Sequence, residues 1–202
     1  MTVIEQSLII FFMRVKDENK KEAIFEAIIE LLNEVGFANL SMSQIAKRAG
    51  VSSSTIYVYF ENKEDMLKTV YMDVKKKFVG SLLQGVEQSI PVRQAMEKLI
   101  QNLLEFALTQ TAYFFFMEQC SNAPMKAQPS NVDAIDMMKP VFKIFEKGQQ
   151  KGILKPGDSV ILLSFCYHGV TQIAKDKLKR DQCFSDSEVK ELIQMCWDAI
   201  RK

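Results

Sequence analysis

Leu40–Leu67 reads LSMSQIAKRAGVSSSTIYVYFENKEDML, and this stretch decides the fold. It encodes two short helices joined by a tight turn, with a third helix following at once. Ser41 is placed to cap the first helix, and Gln44 can reach back to it, which is the spacing of a capping box. Leu40 before the cap and Ile45 inside the helix can close a hydrophobic staple. Ile45, Ala46 and Ala49 then share one apolar face at helical spacing. Gly50 stops the helix, because a residue without a Cβ enters the left-handed region at little cost. Val51 follows as an apolar plug. Ser52, Ser53 and Ser54 offer caps for the second helix, whose inner face is Ile56, Tyr59 and Phe60. Ala46 is small where a helix-turn-helix needs its helices to cross closely.

The same residues carry chemistry. The outer face of the second helix presents Ser53, Ser54, Thr55, Tyr57 and Val58. Hydroxyls and a phenol of this kind donate to phosphate oxygens and reach base edges. Lys63 opens the next helix, where a cation and free backbone N–H groups both favour a phosphate. The candidate DNA contacts are therefore Ser41, Ser43, Lys47, Ser52, Ser53, Ser54, Thr55, Tyr57, Tyr59 and Lys63. The competing structural reading is a capped hairpin inside an ordinary all-helical core.

The stretch resembles the N-terminal signature of TetR-type (TetR/AcrR) transcriptional regulators. There an Ile-Ala-x-x-Ala-Gly-Val core precedes Tyr-x-Tyr-Phe and a Lys that begins the fourth helix. Here those residues are Ile45, Ala46, Ala49, Gly50, Val51, Tyr57, Tyr59, Phe60 and Lys63. The sequence departs from the pattern at Ser54, where Gly, Lys or Pro is common, and at Val58, often polar or aromatic. Both positions bear on which operator is read. The remainder of the chain is similar only in length and helical layout. The resemblance implies an all-α fold, with a three-helix head ahead of a helical ligand-binding and dimerisation domain. It also implies a mechanism in which an effector enters that domain, moves the fourth helix and spoils the spacing of two paired heads.

Composition bounds this reading. The chain has 202 residues, 48% hydrophobic and 25% charged, so it is globular and long enough for a sizeable core. Its formal net charge of +1 makes DNA binding a local property. The local cations would be Lys47, Arg48, Lys63, Lys20 and Lys21, while Glu26, Glu30 and Glu34 form a stripe expected to face away from DNA. The four cysteines, Cys120, Cys166, Cys183 and Cys196, show no Cys-x-x-Cys spacing and read as reduced thiols of a cytoplasmic protein. Cys166 and the sole histidine, His168, are too few ligands for a metal, and no cofactor is implied. The apolar run Leu8–Met13 falls far short of the ~20 residues that span a membrane, so no membrane partner is expected. Residues 1–16 read as a helical extension packing on a neighbour, or as a leader preceding Met13; no role is assigned to them.

The domains expected are this extension, a helix-turn-helix head over 17–62 and a helical domain over 63–202. A first helix over about 18–35 supports the hairpin from behind and ends at Gly36. Asn62 caps the fourth helix, which runs past residue 80 with Lys75, Lys76 and Lys77 solvated. Pro91 suits the first turn of a fifth helix. Consecutive Tyr113, Phe114, Phe115, Phe116 and Met117 must point in several directions. Pro124 and Pro129 mark the longest loop, and Pro140 should kink the helix that follows it. Val160–Ala174 is apolar almost all round, the mark of a buried helix, and a last helix follows Ser185 or Ser187. These two final helices carry more apolar surface than one chain of this size needs. The excess points to a two-fold four-helix bundle built on Leu162, Phe165, Val189, Ile193 and Trp197. The alternative is that they simply complete the core of one chain.

A single hairpin discriminates too weakly to find one genomic site, at roughly 1–3 kcal/mol per good bidentate contact. A homodimer placing two heads about one DNA turn apart on a pseudo-palindrome supplies the rest. The aromatic and Met content between Phe106 and His168 suits a small hydrophobic effector. The candidate wall is Phe106, Tyr113, Phe116, Met138, Phe142, Phe165 and His168, although aromatics at this spacing commonly form a solid core. The reading is a ligand-responsive repressor. Two alternatives stay open: a helical carrier or enzyme for a hydrophobic molecule, and a DNA-binding regulator without ligand control. No Ser-His-Asp set or Gly-rich phosphate loop supports the enzyme.

Overall fold

The computed structural model describes residues 3–87, 89–121 and 131–202, with backbone alone over 3–17 and at 131–132. Among the described residues there are nine helices: α1 (Val3–Asn39), α2 (Met42–Ala49), α3 (Ser53–Tyr59), α4 (Lys63–Leu82), α5 (Val92–Thr109), α6 (Thr111–Ser121), α7 (Asn131–Gln150), α8 (Ser159–Leu178) and α9 (Asp186–Ile200). They form two compact units. One contains the described residues up to Asp73 together with 115–121; the other contains 74–114 and 131–202. The division therefore falls inside α4 rather than at residue 62, and α6 also contributes to both units.

The first unit is built on the hairpin and its support. Ile24, Ile28 and Leu32 of α1 meet Ile45 of α2 and Ile56 of α3 in a core from which water is excluded. The local signals operate as the sequence suggests. The Ser41 N–H donates to Gln44 Oε1 at 2.9 Å, and the Gln44 N–H donates back to Ser41 Oγ at 3.3 Å. Gly50 sits at φ 66°, the left-handed conformation that ends α2. Ser52 caps α3 by accepting the Thr55 N–H at 3.2 Å, and Asn62 accepts the Asp65 N–H at 2.9 Å at the start of α4. Gly36, at φ 73° and ψ 173°, breaks the helical geometry of α1 at the expected stop, although helical turns resume to Asn39. The apolar run Leu8–Met13 lies on helical backbone, and what its side chains touch lies outside the described residues.

The second unit is centred on α5, whose Ala95, Met96, Leu99, Ile100, Leu103, Leu104, Phe106 and Ala107 are all buried. Val141 and Phe145 of α7, Cys166, Val170 and Ala174 of α8, and Leu192, Ile193 and Ile200 of α9 complete the core. Two residues fix the fit. The buried Asn102 donates from Nδ2 to the carbonyls of Leu82 and Gln84, each at 2.9 Å, and so satisfies the end of α4. Gly148 lies where a Cβ would fall 2.6 Å from Leu154 Cδ1 and 2.9 Å from Val92 Cγ1. Only a glycine lets α7 approach that closely.

Three expectations are corrected. The α8 helix is not buried all round: Val160, Ile161, Phe165 and Ile173 are exposed. Its sequence is apolar in every direction, but within one chain α5, α7 and α9 pack against it and leave one face uncovered. Lys75 is half-buried, with its ammonium 5.4 Å from the centre of the Phe78 ring, rather than fully solvated. Pro91 is the residue before α5, not one inside its first turn. Helix α7 runs from Asn131 to Gln150 with Pro140 inside it, as the sequence pattern suggests. The loop expected around Pro124 and Pro129 lies outside the described residues.

Candidate nucleic-acid interface and effector region

The hairpin sorts its residues by face. Ile56 and Phe60 point inward, while Tyr57 is 56% exposed and Val58 79% exposed. Ser52, Ser53 and Ser54 are exposed at the start of α3. The Ser52 hydroxyl shares hydrogen bonds with the hydroxyls of Ser54 and Thr55, each at 2.8 Å. These are groups already organised as donors and acceptors at a solvent-facing helix start. Ser43 and Lys47 on α2 are also exposed. Ser41, Thr55 and Tyr59 are half-buried: Ser41 is engaged in its cap, and the Tyr59 ring lies 6.5 Å from that of Phe60.

Two of the expected cations have other partners. The Lys63 ammonium donates to the Phe37 carbonyl at 3.0 Å and to the Leu40 carbonyl, and it lies 5.7 Å from the centre of the Phe37 ring. It ties the start of α4 to the segment joining α1 and α2. The Arg48 guanidinium binds Glu30 at 3.1 Å and Glu34 at 2.7 Å. Those hydrogen bonds push the Arg48 proton affinity up and hold the Glu34 carboxyl below its ordinary value. Arg48 therefore faces the glutamate stripe, not the side opposite to it. The signal was available in principle, since Glu30 and Glu34 are one turn apart and form a fork that fits one guanidinium.

In the second unit three cavities stand near the candidate wall. The largest, about 610 Å³, lies between the α4–α5 connection and α7, with Leu83, Val86, Ile90 and Ile144 beside Lys143 and Lys147. A second, about 540 Å³, is bounded by Lys77, Ser81 and Gln84 of the α4 region, Phe106 and Gln110, and Tyr113. The third is wholly apolar, includes Met138, Phe145 and Tyr167, and at about 30 Å³ holds no more than a water-sized body. Phe106 and Tyr113 thus share a cavity, and Met138 lines the smallest. Phe142 is half-buried and lines none of the three. Phe165 is 68% exposed and His168 is exposed, both on the outer face of α8. Phe116 is fully buried and belongs to the first unit. A search for apolar walls passes over Lys77, Gln84 and Gln110, the polar lining of the second cavity.

Of the proposed dimer residues, Phe165 is exposed, Leu162, Val189 and Trp197 are half-buried, and Ile193 is buried. Arg93 lies over the Trp197 ring at 5.5 Å, within the chain. The uncovered apolar surface also includes Ile161 on α8 and Met195 on α9, 66% and 59% exposed. Among the described residues no helix is long and apolar enough to cross a membrane, and no group of His, Cys, Asp and Glu is placed to hold a metal ion.

Comparison with known proteins also divides the chain inside α4. Residues 24–70 match the family described as bacterial regulatory proteins, tetR family, and residues 71–202 match a tetracyclin repressor-like C-terminal domain. The fatty acid metabolism regulator protein of Bacillus subtilis is 30% identical over 152 residues, covering 69% of this chain and 73% of that protein. A TetR family transcription regulator from Marinobacter aquaeolei superposes with a TM-score of 0.83 at 22% identity, covering 94% of this chain and 99% of that one. FadR of Bacillus subtilis, solved in complex with stearoyl-CoA, superposes with a TM-score of 0.69 at 19% identity, covering 88% and 96%.

Proposed function

The chain belongs to the TetR family of bacterial regulatory proteins, and on that premise we propose a ligand-responsive repressor that grips a pseudo-palindromic operator as a homodimer and lets go when a small hydrophobic effector binds. The observation that carries the DNA-binding half is the outward face of α3, where Tyr57 and the serine hydroxyls stand in solvent above a buried Ile56. Hydroxyls and a phenol at that position fix a helix on phosphates and reach into the major groove. The uncovered row Ile161, Phe165 and Ile173 of α8, with Met195 of α9, supports pairing with a second copy. Two copies turn one weak reader into a specific one.

The effector half rests on the cavities of the second unit. The second cavity is lined by residues of the α4 region, and α4 begins at Lys63 beside the hairpin. A ligand that binds a shifted α4 better than the DNA-bound form lowers operator affinity, and only such differential binding can do so. A hundredfold release needs about 2.7 kcal/mol of coupling. The relative that regulates fatty acid metabolism and the neighbour that holds stearoyl-CoA make fatty acids and their CoA thioesters the first effectors to test.

The experiment is selection of bound DNA from a random pool, followed by gel shifts in the presence of acyl chains of graded length. Enrichment of an inverted repeat, and its release by one chain-length class, is expected. Tyr57→Ala should weaken that binding at least tenfold with an unchanged melting temperature. Enrichment of no two-fold sequence removes the dimeric operator. Tight binding unmoved by any apolar compound leaves a regulator without ligand control.

A further inference from the structure

Two of the four thiols meet across α8 and α9. Cys166 is buried on the seam of α8 that also carries Val170 and Ala174, a different face from the exposed row of Ile161 and Phe165. Its Sγ lies 3.8 Å from the Cys196 carbonyl oxygen, which accepts from it, so the Cys166 sulfur stands against the Cys196 residue itself. Cys196 is half-buried, one turn from Leu192 and one from Ile200. The other two are elsewhere: Cys120 is buried in the first unit and Cys183 is exposed ahead of α9. We propose that Cys166 and Cys196 are a paired oxidation site, closed by a hydroperoxide into an intrachain disulfide that staples α8 to α9.

The pair is chemically asymmetric, and the asymmetry sets the order of events. Hydrogen bonding from Cys166 holds the Cys196 thiol below its ordinary pKa, while the same contact and burial push Cys166 up. Cys196 is thus the thiolate that forms first, and its partial exposure admits a reagent little larger than water. The Cys196 sulfur attacks one peroxide oxygen; the O–O bond breaks, Cys196 becomes a sulfenic acid, and the other oxygen leaves as hydroxide, protonated to water. The Cys166 sulfur then attacks the Cys196 sulfur, the S–O bond breaks, and the departing oxygen takes the Cys166 proton as a second water. Two thiols and one hydrogen peroxide give one disulfide and two waters, with two electrons passing from sulfur to oxygen. Cys120, buried in the first unit with its thiol pushed up to about 12 by that burial, stays out of this chemistry.

The test uses the full chain, reduced, freed of reductant and exposed to graded hydrogen peroxide. Remaining thiols are alkylated under denaturing conditions, and peptides are mapped without reduction. The expected result is a fall from four alkylatable thiols to two, with the peptides bearing Cys166 and Cys196 linked inside a single chain. Cys183→Ser should keep the same linkage while its thiol count falls from three to one, and Cys166→Ser should leave Cys196 as a sulfenic acid that dimedone traps. Four surviving thiols, loss confined to Cys183, or linkage only between two chains overturns the proposal. The map of the unmodified protein decides the matter even where a variant fails to fold.

Discussion

Lys63→Met isolates a role that sequence and structure assign differently. The methionine keeps the length and apolar stem of the side chain but removes the ammonium. Lost with it are hydrogen bonds to the Phe37 carbonyl, 3.0 Å away, and to the Leu40 carbonyl, together with the cation lying 5.7 Å from the Phe37 ring centre. A hydrogen bond from a charged donor is worth about 1.5–3 kcal/mol net, and a partly exposed cation–π contact roughly 0.5–1 kcal/mol. Lys63 is half-buried, so removing the charge also recovers part of its desolvation cost, and the carbonyls can find water. About 2–3 kcal/mol is the expected loss. For a chain of this length that corresponds to a melting temperature lower by roughly 5–10 °C. The assay is urea unfolding followed by circular dichroism, in parallel with gel shifts on the selected operator at a temperature where both proteins are folded. The structural assignment predicts lost stability with operator affinity changed less than about threefold. Unchanged stability with affinity down tenfold or more would refute it and return Lys63 to a phosphate.

Four further outcomes are expected. Phe165→Arg places a charge where 68% of a phenylalanine is uncovered, and it should halve the mass seen by light scattering; a persisting dimer moves the interface off α8. Gly148→Ala should cost about 1–2 kcal/mol, because overpacking against Leu154 and Val92 outweighs the better helix propensity. Gly80→Ala, with open space around the new Cβ, should stabilise by up to about 1 kcal/mol, and equal effects in the two would remove the packing argument. The Glu188 carboxyl is held from 4.5 down to about 2 by the Lys177 ammonium and by the Ser185 backbone N–H and hydroxyl. Because its folded pKa is depressed, its contribution is present above pH 4.5 and lost as pH falls toward 2. The protection of amides at the start of α9, taken relative to their intrinsic exchange rate at each pH, should fall across that window, and in Glu188→Gln it should be flat there.

The hairpin was legible because its signals are local. Ser41 with Gln44, Gly50 and Ser52 each act within a turn of themselves, and each appears in the fold as its spacing demands. The fourth, fifth and last helices were legible for the same reason. What failed was whatever depends on neighbours distant in sequence. Nothing around Lys63 announces that the Phe37 and Leu40 carbonyls lie within its reach, and the fork of Glu30 and Glu34 does not by itself say that Arg48 is the guanidinium that enters it. The apolar run in α8 gives no hint of which side stays uncovered, because that is decided by α5, α7 and α9. Among the wall candidates, Phe116 and Phe165 illustrate the same point. Aromatic character is identical in both, yet one is sealed in the first unit and the other stands in solvent.

The engagement of Arg48 by two glutamates bears on how such a protein searches a genome. Each cation withdrawn from the phosphate backbone lowers the steepness with which affinity falls as salt rises, by close to one in the log–log slope. A head that keeps its guanidinium occupied will linger less on arbitrary sequence and slide over shorter tracts. More of the population is then free in solution, and the dimer proposed above, once dislodged from an operator, is not held nearby by the bulk chromosome. Release would then need only a modest loss of specific affinity, which suits the ligand-operated switch proposed above.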